Sequence, residues 1–349
     1  MDLLERLVNT PGVPGREGAI RDVIEAHARQ AGVFDEIATD TLGSLVCIRR
    51  PRPRDGGTVA TPRRVLLAAH MDQIGFLVSH VSKEGYLRLH PVGAFDPRTL
   101  FAHRVQVVTA GGETIPGVMN PPGRPIHTAP PEDLKKIPEL ETFYVDTGLA
   151  PDEARARIAK GDMVVLDGPF HRLGRYVAGG GLDNRVGCWA LLRAMEALQY
   201  HDCEINCAWT AQEELGSRGA GPVAFAAEAD IGISCDTTVC CEVPGVEEEN
   251  HVTEAGKGVA LQVADSSTLS DMGLVRDMER VAQQQGIKCQ RSLMLGGGQD
   301  GALIQRARGG VRTIVLSCPV KHLHTATELV HVDDLASYPA LLAAYLGSL

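Results

Sequence analysis

Several acidic and histidine residues of this sequence follow apolar runs of strand length. Four such runs lead to His70 with Asp72, Glu213 with Glu214, Asp236, and, past a short loop, His324. In an open α/β sheet, ligands bind in the crevice beyond the carboxyl ends of the strands. We therefore expect these side chains, which are far apart in the sequence, to converge at one edge of a sheet.

A further candidate is Asp183, which lies in the glycine-rich segment GGGLDNR just before a predicted helix. An aspartate at a helix start commonly caps the helix, so Asp183 alone does not indicate a function. The whole set is more informative. Two histidines and three or four carboxylates are suitable ligands for two divalent cations, with one carboxylate bridging the two ions.

The spacing within two of the pairs fits such a site. A metal-ligating imidazole needs a hydrogen-bond acceptor on its second ring nitrogen, and the spacing of His70 and Asp72 offers one. Glu213 and Glu214 offer one metal ligand and one free carboxylate. A free glutamate beside an activated water can take its proton and later deliver it to a leaving amine. The sequence thus favours metal-assisted hydrolysis.

The composition excludes several other kinds of protein. With 44 acidic against 34 basic residues, the chain lacks the basic surface expected of a nucleic-acid-binding protein. Only 4% of its residues are aromatic, which leaves little material for a sugar-binding groove. Nine scattered cysteines without a zinc-finger pair indicate reduced thiols. We find neither a signal peptide nor an apolar stretch of about 20 residues, and therefore predict a cytoplasmic protein without membrane contact.

The length of 349 residues favours two packing units over one. The sequence pattern predicts helices at 16–31, 184–199, 268–285 and 332–346, and short apolar runs predict strands at 45–48, 65–69, 205–210, 231–235 and 313–317. The region from 75 to 171 instead shows short strand-like runs, frequent glycine and proline, and one helix at 151–160. We predict a small β-rich domain inserted at 75–171 into an α/β domain formed by 1–74 and 172–349.

Seven motifs in this order resemble one known family over essentially the whole chain. They are AAHMDQIGF (68–76), GGGLDNR (179–185), AQEELGSRGA (211–220), CDTT (235–238), GKG with Asp265 (256–265), GGGQDG (296–301) and HLHTATE (322–328). The family is that of the dinuclear metallo-aminopeptidases, which includes the tetrahedral and glutamyl aminopeptidases, some of them labelled cellulases. Each motif alone is a weak signal, but seven in order are a strong one.

The resemblance implies a three-layer, zinc-exopeptidase-like α/β catalytic domain with an inserted β-rich dimerisation domain. It implies an aminopeptidase that holds two divalent metal ions, zinc or cobalt, and that forms homo-oligomers, either dimers or dodecamers. His70 and Asp236 resemble the terminal ligands of one metal, and Glu214 and His324 those of the other. Three further residues take roles by the same resemblance: Asp183 as the bridging carboxylate, Glu213 as the general acid/base, and Asp72 as the partner of His70.

Two positions depart from the family pattern. Gln73 stands where the family often has glutamate, and the segment from Lys321 to Ala326 replaces a usual Arg-Tyr-Ile-His-Ser-Pro. The second departure leaves two histidines near the expected ligand. Alignment favours His324, although His322 could exchange roles with it. The altered loop affects the expected substrate preference more than the expected metal binding.

Other functions fit the residues less well. The segments 179–184 and 216–221 match neither a dinucleotide-binding fingerprint nor a serine-hydrolase elbow. A glycosidase with two carboxylates would leave the histidines without a role. A metal-dependent deacetylase or carboxypeptidase-type amidohydrolase would use the same site on a different bond. A non-catalytic assembly module is the third alternative, and the intact set of acids argues against it.

Overall fold

The computed structural model describes residues 1–349, apart from the side chain of Leu134. Its helices, in chain order, are α1 (Asp2–Val8), α2 (Gly18–Ala31), α3 (Pro151–Arg157), α4 (Leu182–Ala197), α5 (Ala220–Ala227), α6 (Met272–Gln285), α7 (Gly301–Gln305) and α8 (Val332–Leu346). Its strands are β1 (Glu36–Thr39), β2 (Leu45–Arg49), β3 (Arg64–His70), β4 (Gly75–Val81), β5 (Leu87–Val92), β6 (His103–Val108), β7 (Thr114–Asn120), β8 (Tyr144–Asp146), β9 (Met163–Leu166), β10 (His171–Leu173), β11 (Tyr176–Gly179), β12 (Glu204–Thr210), β13 (Ile231–Val239), β14 (Val259–Ala264), β15 (Cys289–Leu293), β16 (Arg312–Val320) and β17 (Glu328–His331).

An eight-stranded sheet forms the centre of the larger unit, in the order β1-β2-β12-β3-β13-β16-β14-β15. The four middle strands, β12, β3, β13 and β16, run parallel to one another. Their carboxyl ends therefore lie at the same edge. A strand exposes alternate side chains to its two faces, and β3 shows this clearly. Val65 and Leu67 pack on one face of the sheet, whereas Leu66 and Ala68 pack on the other.

Helices cover both faces of this sheet. The main core contains the apolar sides of α1, α2, α4, α6 and α8, and a smaller core on the opposite face contains residues of α5 and α7. Glycine allows one close approach in this packing. A side chain at Gly187 of α4 would meet the carbonyl oxygen of Cys235 at 2.7 Å, so α4 lies directly against β13. The predicted three-layer α/β architecture is confirmed.

A closed antiparallel barrel lies between β3 and α4 in the sequence. Its strands follow the order β4-β5-β8-β7-β6-β9, and β9 pairs with β4 to close it. The barrel has its own apolar core, which includes Phe76, Val105 and Phe143. A three-stranded sheet, β10-β11-β17, follows the barrel. Its strand β17 begins at Glu328, shortly after His324. No helix among the described residues is long and apolar enough to cross a membrane.

The predicted elements agree with the structure, with two informative differences. Helix α8 has the predicted bounds, but α6 begins at Met272 because Asp271 caps it, accepting hydrogen bonds from the backbone N–H groups of Gly273 and Leu274. Strand β13 continues to Val239 because its pairing with β16 extends that far. Asp236 consequently lies within the strand and not after its end.

Candidate metal centre

The edge formed by β12, β3 and β13 brings the predicted residues together. His70 is the last residue of β3, Asp236 lies near the end of β13, and Glu213 and Glu214 form a 3₁₀ turn after β12. Asp183 comes from the first turn of α4, and His324 from the loop between β16 and β17. Convergence at the carboxyl ends of parallel strands explains why residues so distant in sequence meet here.

Asp183 lies between the two histidines and presents one carboxylate oxygen to each. Its Oδ1 is 3.3 Å from Nε2 of His70, and its Oδ2 is 3.3 Å from Nε2 of His324. Asp236 Oδ1 lies 3.5 Å from the same nitrogen of His70, and Glu214 Oε1 lies 3.6 Å from that of His324. Asp183 makes no capping hydrogen bond to α4, so the ordinary role of an aspartate at a helix start does not explain it.

The second ring nitrogen of each histidine contacts a backbone carbonyl. Nδ1 of His70 lies 3.0 Å from the carbonyl oxygen of Asp72, and Nδ1 of His324 lies 2.9 Å from that of Ala94, in the loop after β5. When Nδ1 donates, Nε2 is left with a free lone pair that faces the carboxylates. The sequence gives no signal for Ala94, which belongs to the barrel segment of the chain.

The carboxylate of Asp72 has a different contact from the expected one. Its Oδ1 is 3.7 Å from Nδ1 of His70, beyond hydrogen-bond distance. Its two oxygens instead accept the backbone N–H groups of Glu213 and Glu214, each at 3.0 Å. The reason is geometric, because the turn after the neighbouring strand β12 directs two free amides at this buried carboxylate. Asp72 thus holds the Glu213–Glu214 turn beside His70.

Glu213 lies at the site but outside the pairs formed by the histidines. Its Oε1 accepts a hydrogen bond of 2.9 Å from the hydroxyl of Ser217, a contact that the sequence did not reveal. Burial raises the pKa of Glu213 well above its usual value, and the negative charges of Asp300 and Asp236 raise it further, against the opposing charge of His70. A carboxyl group in these surroundings can both accept and release a proton.

Glu328 was not singled out from the sequence, although it ends the last motif. Its side chain is 2% exposed and accepts two backbone hydrogen bonds, from Asp183 at 3.1 Å and from His324 at 2.8 Å. Burial and the nearby charge of Asp183 raise its pKa to about 8. One carboxylate therefore fastens the backbone of two candidate ligands that come from distant segments.

The two departures from the family pattern lie in different surroundings. The side chain of His322 is exposed and does not line the site, whereas His324 faces Asp183 and Glu214. The geometry therefore favours His324 as the candidate ligand. Gln73 is buried and accepts a hydrogen bond of 3.0 Å from Arg185, so it supports the segment around Gly181 without entering the site.

The donor set fits divalent metal ions. Asp183 Oδ1 and Glu214 Oε1 are buried and receive no hydrogen bond. Buried carboxylate oxygens are rarely left without a partner, and a cation would satisfy both. Ligand atoms of His70, Asp183 and Glu214 lie within 4.8 Å of one another, which is close enough for metal ions to bind among them. Imidazole and carboxylate are the ligands that zinc binds in hydrolytic enzymes.

A cavity of 340 Å³ opens directly on this site. Five candidate ligands and Glu213 form one side of it. The rest of its wall consists of residues 237–239, Met294, the glycine loop 296–298, Gln299 and Leu323. Larger cavities exist elsewhere, such as one of 810 Å³ near Tyr200 and Leu349, but their walls contain none of the candidate ligands. A peptide end thus has space beside the candidate catalytic groups.

Comparison with known proteins shows the family of the chain. The sequence model of the M42 glutamyl aminopeptidase family matches residues 54–341. The chain belongs to the M42 peptidase family. Like other members, this M42 protein is a metal-dependent aminopeptidase, and neither the deacetylase nor the glycosidase interpretation is favoured.

Individual M42 relatives match the chain along its whole length. Lysyl aminopeptidase of Pyrococcus furiosus is 30% identical, over 100% of this chain and 97% of the relative. A TET aminopeptidase structure from a marine-sediment Thaumarchaeota archaeon superposes with a TM-score of 0.92 at 30% identity, covering 100% and 96% of the two chains. The Pyrococcus horikoshii TET1 peptidase, described as assembling into a tetrahedron or an octahedral shell, gives 0.86 at 29% identity and covers 100% and 99%.

Proposed function

We propose that this M42 aminopeptidase binds two divalent metal ions, zinc or cobalt, at the site built on His70 and His324. His70 and Asp236 would hold one ion, Glu214 and His324 the other, and Asp183 would bridge them. The position of Asp183 carries this proposal, because each of its oxygens lies 3.3 Å from a different histidine. A carboxylate that bridges two ions needs this arrangement of one oxygen on each side.

The residues around the metal ligands supply the proton transfer. Bound divalent ions would contribute a Lewis acid that polarises the scissile carbonyl and makes water more acidic. Glu213, positioned by Ser217 and by the backbone contact with Asp72, would accept the proton of the attacking water. The same carboxyl group would then deliver that proton to the departing amine.

The preferred substrate is a peptide with a free α-amino group. Asp183, Glu213, Glu214 and Asp236 line the cavity together with the two histidines. A free α-amine could bind at the metal site through its lone pair or to a nearby carboxylate, whereas an acetylated nitrogen is neither basic nor charged. This difference would confine cleavage to the first peptide bond.

The insert and the thiols support two further parts of the proposal. Residues 75–171 would form the dimerisation domain between catalytic segments 1–74 and 172–349, and the dimers would build a dodecamer, in keeping with the assemblies described for the TET1 peptidase.

All nine cysteines are free, and seven of them are buried. Free thiols are typical of a reducing compartment, in agreement with a cytoplasmic location.

A panel of matched peptides tests the function. Unblocked and N-acetylated versions of one peptide should be assayed before and after removal of metal with a chelator, and again after zinc or cobalt is restored. We expect cleavage of the unblocked peptide alone, its loss with the chelator, and its recovery with metal. Release of acetate would indicate a deacetylase instead. Activity that survives complete metal removal would contradict the proposed site.

A further inference from the structure

If the proposed function holds, the walls of the cavity beside the catalytic groups indicate which N-terminal residue of the substrate is preferred. Its wall extends from two candidate ligands: Thr237 and Thr238 directly follow Asp236, and Leu323 directly precedes His324. A substrate whose α-amine and first carbonyl reach the ligands would therefore place its first side chain against this wall. The chemistry of the wall then selects among N-terminal residues.

Met294 joins two parts of this wall, since it contacts both Thr238 and the glycine loop. Its sulfur lies 4.0 Å from the hydroxyl of Thr238. Its methyl group lies over Gly297, where an added Cβ would be only 2.9 Å away. Gly297 has a φ of +77°, which glycine adopts at low cost. The glycine loop thus leaves room for the Met294 side chain, which presents a flexible apolar surface to the cavity.

The charged groups that line the cavity are the candidate ligands and Glu213. Among the other described side chains that line it, none carries a charge. Nearby charged residues have other partners. Lys321 lies 3.3 Å from Glu242, Asp265 accepts hydrogen bonds from Gln262 and Gln299, and Asp300 accepts one from Thr210.

A charged side chain placed against this uncharged wall would lose water without gaining a partner there, which is unfavourable. An apolar side chain would gain from the burial of its surface against Met294, Leu323 and Val239. We infer that this enzyme prefers peptides with a neutral, apolar N-terminal residue of the size of leucine or methionine, and that Met294 determines this preference. This specificity differs from the lysine and glutamate preferences named for its relatives.

The inference can be tested with p-nitroanilides of leucine, methionine, lysine and glutamate on the metal-loaded enzyme. We expect kcat/KM for the two apolar substrates to exceed that for the two charged ones at least about tenfold. Calorimetry of the free amino acids should give the same order of affinity. A higher kcat/KM for the lysyl or glutamyl substrate would overturn the inference but leave the aminopeptidase function intact. Failure to cleave any of the four would overturn both.

Charge substitutions at Met294 test its role directly. Met294→Lys should raise the glutamyl-to-leucyl ratio of kcat/KM at least about tenfold, and Met294→Glu should raise the lysyl-to-leucyl ratio similarly. Leu295→Lys is the matched control, since the adjacent side chain is 93% exposed and does not line the cavity. Equal shifts in Met294→Lys and Leu295→Lys, or no shift in either Met294 variant, would overturn the assignment to Met294.

Discussion

The two candidate histidine ligands, His70 and His324, are held in position by different structural elements. His70 ends a central strand, is 2% exposed, and contacts the carbonyl two residues further along the chain. The side chain of His324 is 27% exposed, and its backbone has a φ of +62° in a loop. The ring of His324 contacts the carbonyl oxygen of Ala94, which is 230 residues away in the sequence. The backbone N–H of His324 donates a hydrogen bond to the carboxylate of Glu328.

Different interactions fix the two halves of the site in place. The His70 half, which comprises His70 and Asp236, is positioned by parallel strand pairing in the middle of the sheet. The His324 half, which comprises Glu214 and His324, depends on hydrogen bonds between distant segments and on the barrel loop. A left-handed backbone at a residue other than glycine needs such support from its surroundings. We therefore expect the His324 half to lose metal more readily when its contacts are changed.

The largest effect is expected from Asp183→Asn, because Asp183 contacts both halves. An amide offers one oxygen in place of two negatively charged ones, so both metals should be lost together with nearly all activity. Elemental analysis of the purified variant measures this directly. Asp202→Asn, an exposed change of the same kind, should retain full occupancy. Unchanged metal content in Asp183→Asn would contradict the bridging role.

Glu213→Gln should leave both halves loaded and remove only the proton transfer. General acid–base catalysis contributes about 10²–10⁴-fold to rate, so kcat should fall by this factor while metal content stays unchanged. Glu248→Gln, at an exposed position, is the control for loss of one negative charge. If Glu213→Gln retained nearly the original peptidase rate, the mechanism would be wrong.

His324→Ala and His322→Ala separate the two histidines of the loop. His324→Ala should lose the metal of its own half and retain the metal of the His70 half, because only His324 faces Asp183 and Glu214. His322→Ala should retain both, since its side chain is exposed. Stoichiometry by elemental analysis decides between them. A greater loss from His322→Ala would reverse the assignment.

Glu328→Gln should weaken the His324 half more gently. Glutamine can accept a hydrogen bond through only one of its two terminal atoms, so one backbone N–H, of Asp183 or of His324, loses its partner. Changes in groups that orient metal ligands typically reduce affinity about 10–100-fold. Metal titration and the absorption spectrum of the cobalt form would show this, with Thr327→Ala as the neighbouring control. Equal metal affinities in Glu328→Gln and Thr327→Ala would exclude a positioning role for Glu328.

Asp271→Ala should affect neither half and should change stability only. Asp271 caps α6 and pairs with Arg312 at 2.9 Å, so its loss should lower the free energy of unfolding by about 1 kcal/mol at pH 7. Hydrogen bonds from Arg312 hold the pKa of Asp271 below its usual value. The contribution is therefore complete above the unfolded pKa of about 3.9 and is lost as pH falls. Urea unfolding should show a difference from the parent protein that shrinks below about pH 4, with unchanged metal content.

Local sequence patterns were sufficient to predict most of the large elements. Strands β3, β12 and β16 appear where apolar runs placed them, because strands buried on both faces are apolar throughout. Helix α8 appears where it was predicted. The short helices α5 and α7 and the strands β14 and β15 were not predicted. The two helices are short and pack against the sheet, and the two strands pair at its edge, so tertiary contacts decide the conformation of all four.

The candidate site divides in the same way. The sequence by itself determined which kinds of side chain meet at the candidate site and that most of them lie near the carboxyl ends of apolar strands, because parallel strands end at one edge of a sheet. Only the tertiary structure decided that Asp72 holds the Glu213–Glu214 turn, that Glu328 fastens two ligands, and that Ala94 orients His324. Apart from the bond between His324 and Glu328, these contacts join residues 141 to 230 positions apart. No local pattern encodes hydrogen bonds that form only after distant elements have packed.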